Sequence, residues 1–166
     1  MPLQGRAEVS RRRQQLDYVF SMVSEVGTSP ELAAHYARYL CVLVAGHAEQ
    51  SVKELVTHFA RKRSSPEVLN YVSSQLKFVR NVDQEKLRQL LQSLDPGFWD
   101  SLAAAVPDDL EALTSTVTVR NGVAHGTESG ITYSTIKQYY ERVSSVLDRL
   151  CDLLDPVDDR RPRAAA

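Results

Sequence analysis

The amino-acid sequence predicts an all-helical bundle of four long helices, with an insert of short helices between the second and the third long helix. Three observations favour this all-α fold class. Apolar residues recur at spacings of three and four, which is typical of helices with one buried face. Most of the seven glycines and seven prolines fall between these periodic stretches. No stretch of useful length alternates apolar and polar residues as a half-buried strand would.

The first two long helices have clear start and stop signals. The first is expected over about residues 8–26, with Gly27 as its C-cap. The second is expected over about 29–62. It begins at Ser29-Pro30-Glu31, because serine caps a helix, proline fits the first turn and a carboxylate suits the positive helix end.

The insert is expected to contain three short helices. Ser65-Pro66 repeats the start signal and opens a helix through Val79, and Asp83 caps another. Residues 95–97, Asp-Pro-Gly, break that helix, and a short piece with Phe98 and Trp99 follows. These two aromatic residues are better explained as core or interface residues than as a platform for nucleic-acid bases.

The last two long helices complete the predicted bundle. One begins at Pro107-Asp108-Asp109 and ends at Gly126, and the other covers about residues 134–154 after a loop. A chain of 166 residues suits one domain with a sizeable core. We therefore expect a single domain over residues 1–155 and a flexible polar tail over 156–166.

Composition argues against several classes of protein. The hydrophobic fraction of 43% includes no apolar run long enough for a membrane span, and the charged N-terminus lacks the apolar run of a secretory signal. Cys41 and Cys151 lie among apolar residues without metal-ligand spacing, so we expect reduced core thiols. A cytoplasmic protein with no metal and no cofactor is the simplest interpretation.

The charge pattern gives only weak evidence for a nucleic-acid partner. The net charge is -1, so the chain lacks the basic balance of many nucleic-acid-binding proteins. Local basic groups are present, and most such groups are simply solvated surface. The candidate RNA contacts among them are Arg61, Lys62, Arg63, Lys77 and Arg80.

The most informative segment is residues 119–126, at the end of the third long helix. At ~100° per residue, Asn121 and His125 share one helix face, and Arg120 lies beside them. Gly122 costs roughly 1 kcal/mol inside a helix, so a close approach by a second backbone or a substrate could compensate. A histidine at a helix C-terminus also suits the helix dipole, and arginine followed by asparagine is common on surfaces. The residues alone leave both interpretations open.

This segment resembles the R-x4-6-H motif of HEPN ribonucleases, in its form R-N-x-x-x-H-G, at Arg120, Asn121, His125 and Gly126. The position before one final long helix agrees as well. Residues 48–55 resemble the second-helix pattern of many HEPN domains, in which an acidic residue faces the motif, and this implies Glu49. The insert is most similar to the RiboL-PSP-HEPN branch, and the resemblance covers about residues 10–155.

The resemblance implies a metal-independent endoribonuclease, with Arg120, Asn121 and His125 as catalytic residues and Glu49 and Gly126 in support. Histidine can serve as base or acid toward RNA, and arginine can hold phosphate charge. One chain supplies one such histidine, and a two-fold homodimer would bring two copies to one cleft. The family also implies 2′,3′-cyclic phosphate and 5′-hydroxyl products. A toxin or an antiviral effector, with an antitoxin or a neighbouring defence protein as partner, is the expected role.

Two other interpretations stay open at the level of sequence. One is a non-catalytic HEPN module that serves dimerisation or binds a nucleic acid or a protein, since many HEPN domains have lost the motif. The other is a plain helical adaptor in which the motif arose by chance. The presence of both Arg120 and His125 favours the enzyme over the binding module.

Overall fold

The computed structural model describes residues 3–25, 29–127 and 129–157, and the regular secondary structure of this part of the chain is α-helical. Its seven helices are α1 (Arg6–Glu25), α2 (Pro30–Arg61), α3 (Pro66–Leu76), α4 (Gln84–Leu94), α5 (Pro96–Ala105), α6 (Glu111–Ala124) and α7 (Tyr133–Leu154). The predicted all-α fold is confirmed, and α3 to α5 form the insert between α2 and α6. With 14 residues, α6 is closer in length to the insert helices than to α1, α2 and α7.

Side-chain caps explain where three of these helices begin. At the start of α2 the Ser29 hydroxyl accepts a hydrogen bond from the Leu32 N–H, at 3.4 Å. At the start of α4 the Asp83 carboxylate accepts one from the Lys86 N–H, at 2.8 Å. Asp95 ends α4 and also starts α5, where its carboxylate accepts from Gly97 N–H. Each cap satisfies an N–H group that the helix itself leaves unpaired.

Three helix boundaries differ from the sequence prediction. The predicted extension of α3 to Val79 is wrong, because the Phe78 and Val79 N–H groups bond to carbonyls three residues back and so tighten the chain into a turn. Similarly, residues 107–110 form a turn, and α6 begins at Glu111 rather than at Pro107. At the N-terminus, α1 begins at Arg6, two residues before the predicted start. The predicted C-cap Gly27 and the tail from residue 158 lie outside the described residues.

The long helix α2 lies at the centre of the fold. It packs against α1, α3, α6 and α7, and its most extensive neighbour is α7. Leu40, Val44 and Leu55 of α2 are fully buried, as are Val143 and Leu147 of α7. Burying a side chain of this size stabilises a fold by about 1.5–3 kcal/mol. In the described residues, no helix has both the length and the apolar character needed to span a membrane.

Both cysteines are buried in this core as free thiols, as predicted. Burial raises the pKa of Cys41 and of Cys151 to about 11, so both are protonated at neutral pH. The Cys41 thiol donates a hydrogen bond to the Thr116 carbonyl, at 3.4 Å, and thereby joins α2 to α6. Protonated buried thiols react slowly, so both residues serve packing.

Asp155, just after α7, joins the two ends of the described chain. Its carboxylate accepts hydrogen bonds from the Arg6 N–H at 3.0 Å and from Lys62 Nζ at 2.9 Å. Its Oδ1 also lies 3.2 Å from His58 Nε2, and only 14% of the side chain is exposed. Burial raises the pKa of Asp155, but these partners outweigh burial and hold the pKa below its ordinary value. The carboxylate therefore fastens α7 to the start of α1 and the end of α2.

Replacing Asp155 with alanine should lower the free energy of unfolding by about 2 kcal/mol at pH 7, because charge-assisted hydrogen bonds are lost. The lowered pKa means that this stabilisation is present above the unfolded value, near ~3.9, and disappears as pH falls through the folded value. In urea titrations, the difference between wild type and Asp155→Ala should therefore narrow below about pH 4. Asp152→Ala removes a more exposed carboxylate and is the control, with an expected cost under about 1 kcal/mol. A difference that stays constant down to pH 3 would contradict this account.

Candidate functional site

The end of α6 has the hydrogen bonds of a Schellman motif. The Gly126 N–H donates to the Val123 carbonyl at 3.2 Å, and the Thr127 N–H donates to the Gly122 carbonyl at 2.9 Å. Gly126 has a φ of 71°, in the left-handed region that glycine adopts without steric cost. His125 is the last residue before this reversal, and it is exposed. The glycine thus ends the helix directly after the histidine and leaves the imidazole at the surface.

Arg120 and Asn121 lie one turn before His125 and are half-buried. Arg120 Nη1 donates a hydrogen bond to Asn121 Oδ1, at 3.1 Å. The His125 N–H donates to the Asn121 carbonyl at 3.1 Å, which is the helical bond expected for residues that share one face. Since a guanidinium has five N–H donors and an amide has two, this arrangement leaves donors of both side chains for a ligand.

Glu49 lies on α2, and its carboxylate joins three parts of the chain. It accepts hydrogen bonds from Lys53 Nζ at 2.7 Å and from the Asn81 N–H at 2.8 Å. Burial raises its pKa, but Lys53, the Asn81 N–H and the charge of Arg120 lower it further, so the pKa lies below its ordinary value. Arg120 acts on Glu49 only through its charge, and among the described residues no hydrogen bond or ion pair joins the two side chains. A supporting role for Glu49 stays a prediction.

The segment between α3 and α4 reaches the site through Asn81. This residue has a φ of 51°, a left-handed conformation that asparagine tolerates better than most residues. Lys86 Nζ donates to the carbonyls of Arg80 and Asn81, at 2.9 and 3.3 Å, and holds the same turn. The exposed side chains of Lys77 and Arg80 are therefore carried on a fixed segment beside Glu49. The sequence predicts no role for Asn81. Its position between two predicted helices is the only signal in the sequence that indicates a turn there.

The other basic candidates lie far from the motif. Arg61, Lys62 and Arg63 are at the end of α2, whereas Cys41 marks the part of α2 that packs on α6. At 1.5 Å per residue, about 30 Å of helix separates Arg61 from Cys41. The three side chains also contact other residues: Arg61 bonds to Gln4, Lys62 bonds to Asp155 and Arg63 stacks on Phe59. The structure does not bring this basic group to the motif.

A surface groove of about 430 Å³ lies between α2 and the end of α6. His35 and Arg38 line it from α2, and Val123 and Thr127 line it from the motif side. A ridge of two exposed apolar residues, Tyr39 and Val42, also lines this groove. The same ridge lines a second groove, of about 370 Å³, that includes residues of α1. The ridge and its two flanking grooves form an uneven apolar surface next to the motif.

His35 lines the groove beside the motif, whereas the other two histidines lie apart from His125. His47 is buried, and burial together with the charges of Arg13 and Arg12 lowers its pKa to about 4. His58 contacts Asp155, far along α2. Among the described residues, no three His, Cys, Asp or Glu side chains converge in a way that could hold a metal ion.

Comparison with known protein families identifies the group to which this fold belongs. The family model described as RiboL-PSP-HEPN matches residues 7–155, which include the insert and the motif. The chain belongs to the RiboL-PSP-HEPN family. The predicted branch of the HEPN superfamily is thus confirmed. Comparison with curated proteins gave no significant match, and comparison with solved structures gave none.

In this RiboL-PSP-HEPN domain the site has one permanent cation, one amide and one imidazole at the surface end of α6. A guanidinium and an amide suit an oxyanion, because both donate hydrogen bonds in a plane. An exposed imidazole can exchange protons with a bound molecule. The arrangement is therefore chemically suited to a phosphate group with a reacting hydroxyl close by.

Alanine should have opposite effects at the two glycines of this helix end. A Cβ at Gly122 would lie 3.9 Å from the Thr127 Cβ, an ordinary contact, so Gly122→Ala should raise the free energy of unfolding by about 0.5–1 kcal/mol. Gly126→Ala should lower it by roughly 1 kcal/mol, because alanine is strained at a φ of 71°. Urea unfolding of both variants measures the two effects, and shifts of the same sign would contradict the described end of α6.

Proposed function

We propose that this domain is an endoribonuclease that cleaves RNA without a metal ion. The observation that carries the proposal is the Arg120–Asn121 hydrogen-bonded pair one turn before the exposed His125, in a chain of a HEPN family. RNA supplies its own nucleophile, the 2′-hydroxyl. Cleavage then requires a base for the hydroxyl proton, an acid for the leaving oxygen and a cation for the charge on phosphorus.

Each motif residue has a role in this reaction. The guanidinium of Arg120 binds the phosphate and stabilises the additional negative charge of the transition state. The amide of Asn121 donates to a phosphate oxygen while its carbonyl oxygen holds Arg120. An imidazole of His125 takes the 2′-hydroxyl proton as O2′ attacks phosphorus, and a second imidazole, in protonated form, gives a proton to the leaving O5′. The products are a 2′,3′-cyclic phosphate and a 5′-hydroxyl.

A homodimer would supply the second imidazole. The His125 ring forms no hydrogen bond within the described residues, so nothing in the described chain orients it. A two-fold interface must be complementary to itself, and the Tyr39–Val42 ridge with grooves on both sides offers projecting and receiving elements on one surface. Gly46 of α2 also has open space where a side chain would be. These features support a dimer whose interface adjoins the motif.

The biological role that fits this activity is that of a toxin or an antiviral effector in the cytoplasm. A ribonuclease that needs only its own chain and RNA would damage the cell that makes it. We therefore propose an antitoxin or a neighbouring defence protein as a controlling partner. A module that binds RNA or protein without cleavage is the alternative, and the motif variants below separate the two.

Cleavage of a labelled RNA in EDTA should depend on all three motif residues. We expect His125→Ala to lower the rate by ~10² to 10⁴, through loss of proton transfer. For Arg120→Ala we expect ~10² or more, through loss of charge stabilisation, and for Asn121→Ala a smaller decrease. Arg142→Ala, at an exposed arginine of α7, is the matched control and should cleave as the wild type does.

Circular dichroism and size-exclusion chromatography should show that these variants keep the wild-type fold and dimer. Wild-type rates for both Arg120→Ala and His125→Ala would eliminate the enzyme and leave the binding module. Activity that disappears in EDTA and returns with magnesium would also contradict the proposal.

Mixing two inactive variants should restore part of the activity if the copies share one cleft. Arg120→Ala and His125→Ala chains, unfolded together and refolded, form mixed dimers in which one cleft holds one intact arginine and one intact histidine. We expect cleavage from this mixture above that of either variant refolded alone but below that of the wild type, because the mixed cleft holds one arginine and only one of the two imidazoles. A monomer of full activity by light scattering at micromolar concentration would contradict the shared site.

A further inference from the structure

Phe78 is the most exposed large apolar side chain in the described residues, with 81% of its surface accessible. Its backbone is nevertheless fixed. The Phe78 N–H donates to the Gln75 carbonyl at 3.1 Å, and the following turn is held by Lys86 and by the Asn81 bond to Glu49. Folding therefore presents a phenyl ring to solvent on a defined backbone, at the cost of leaving apolar surface in water.

Two cations flank this ring. Lys77 precedes it and Arg80 follows two residues later, and both side chains are exposed. Within the described residues neither cation forms an ion pair, in contrast to Lys62, which pairs with Asp155. Aromatic rings beside unpaired cations suit single-stranded nucleic acid, because bases stack on the ring while phosphates meet the positive charge.

The ring also lies close to the motif. Asn81 lies three positions after Phe78, so their Cα atoms are at most about 11 Å apart. The Asn81 N–H lies 2.8 Å from Glu49 Oε2, and the charge of Arg120 acts on Glu49. Because α2, which carries Glu49, packs against α6, which carries Arg120, a single strand several nucleotides long can contact both Arg120 and Phe78.

We propose that Phe78 is a stacking platform for an unpaired base of the RNA substrate, with Lys77 and Arg80 binding the adjacent phosphates. The inference rests on the proposed function in one respect, because it takes the strand that stacks on Phe78 to be the strand that is cleaved. Every base has a flat face, so this platform selects single strands over duplexes rather than one sequence. The two unpaired cations match the phosphates of RNA and the exposed ring matches a base, and this combination favours RNA as the occupant.

The test uses the full chain and a fluorescent 12-nucleotide single strand of 2′-O-methyl RNA, which binds but cannot be cleaved through its 2′ position. Phe78→Ala and Phe78→Leu should each weaken binding about tenfold in fluorescence anisotropy, because neither side chain offers an aromatic face. Phe78→Trp should bind within twofold of the wild type. Tyr18→Ala, at an exposed tyrosine of α1, is the matched control and should leave binding unchanged.

Three results would overturn the platform. In the first, Phe78→Ala binds the probe like the wild type, and in the second, Phe78→Leu binds it like Phe78→Trp. In the third, light scattering shows that Phe78→Ala no longer forms the dimer, which would assign the ring to a protein contact. Cleavage of ordinary RNA by the wild type is measured separately. If probe binding depends on Phe78 but the wild type cleaves no RNA, the ribonuclease is refuted and the stacking platform stands. If the wild type cleaves RNA at a rate that substitutions of Phe78 do not change, the platform is refuted and the ribonuclease stands.

Discussion

The burial of α2 is the constraint on which the other features of this structure depend. This helix has 32 residues, and α1, α3, α6 and α7 all pack against it. Removing its apolar face from water fixes these four helices, and they in turn hold the rest of the insert, because α5 packs against α7 and α4 packs against α5 and α6. The motif on α6 is therefore held at a defined position along α2, near Cys41. The face of α2 that carries Tyr39 and Val42 remains exposed beside the motif.

Glu49 couples the candidate site to this core. Its carboxylate is on α2, it bonds to Lys53 and to the Asn81 N–H, and the charge of Arg120 acts on it. Glu49 thus connects the central helix to the insert through a hydrogen bond and to the motif through charge. The amide oxygen of Asn121 holds the guanidinium of Arg120, and this hydrogen bond would reduce the ordering cost of binding a phosphate.

Local chemistry could be predicted from the sequence, and contacts between distant residues could not. The caps Ser29 and Asp83 and the helix stop at Gly126 follow from the bonds that those residues make with their own neighbours. The common face of Asn121 and His125 follows from the helical period. By contrast, the Asn81 bond to Glu49 spans 32 positions, and no local pattern encodes it. The basic groups at 61–63 and at Lys77 and Arg80 look alike in sequence. Only the fold shows that the first group lies at the far end of α2, while the second adjoins Asn81, which bonds to Glu49. No local pattern predicts the exposure of Phe78 either, since that exposure depends on what the fold packs against it.

In the proposed reaction the 2′-hydroxyl of RNA is the nucleophile. The most direct test uses a DNA oligonucleotide that contains a single ribonucleotide, incubated with the wild-type protein in EDTA and analysed by mass spectrometry. We expect one cut, directly after the ribonucleotide, with a 2′,3′-cyclic phosphate on one fragment and a 5′-hydroxyl on the other. Equal cutting of the all-DNA oligonucleotide, or fragments that carry 5′-phosphate and 3′-hydroxyl ends, would contradict it.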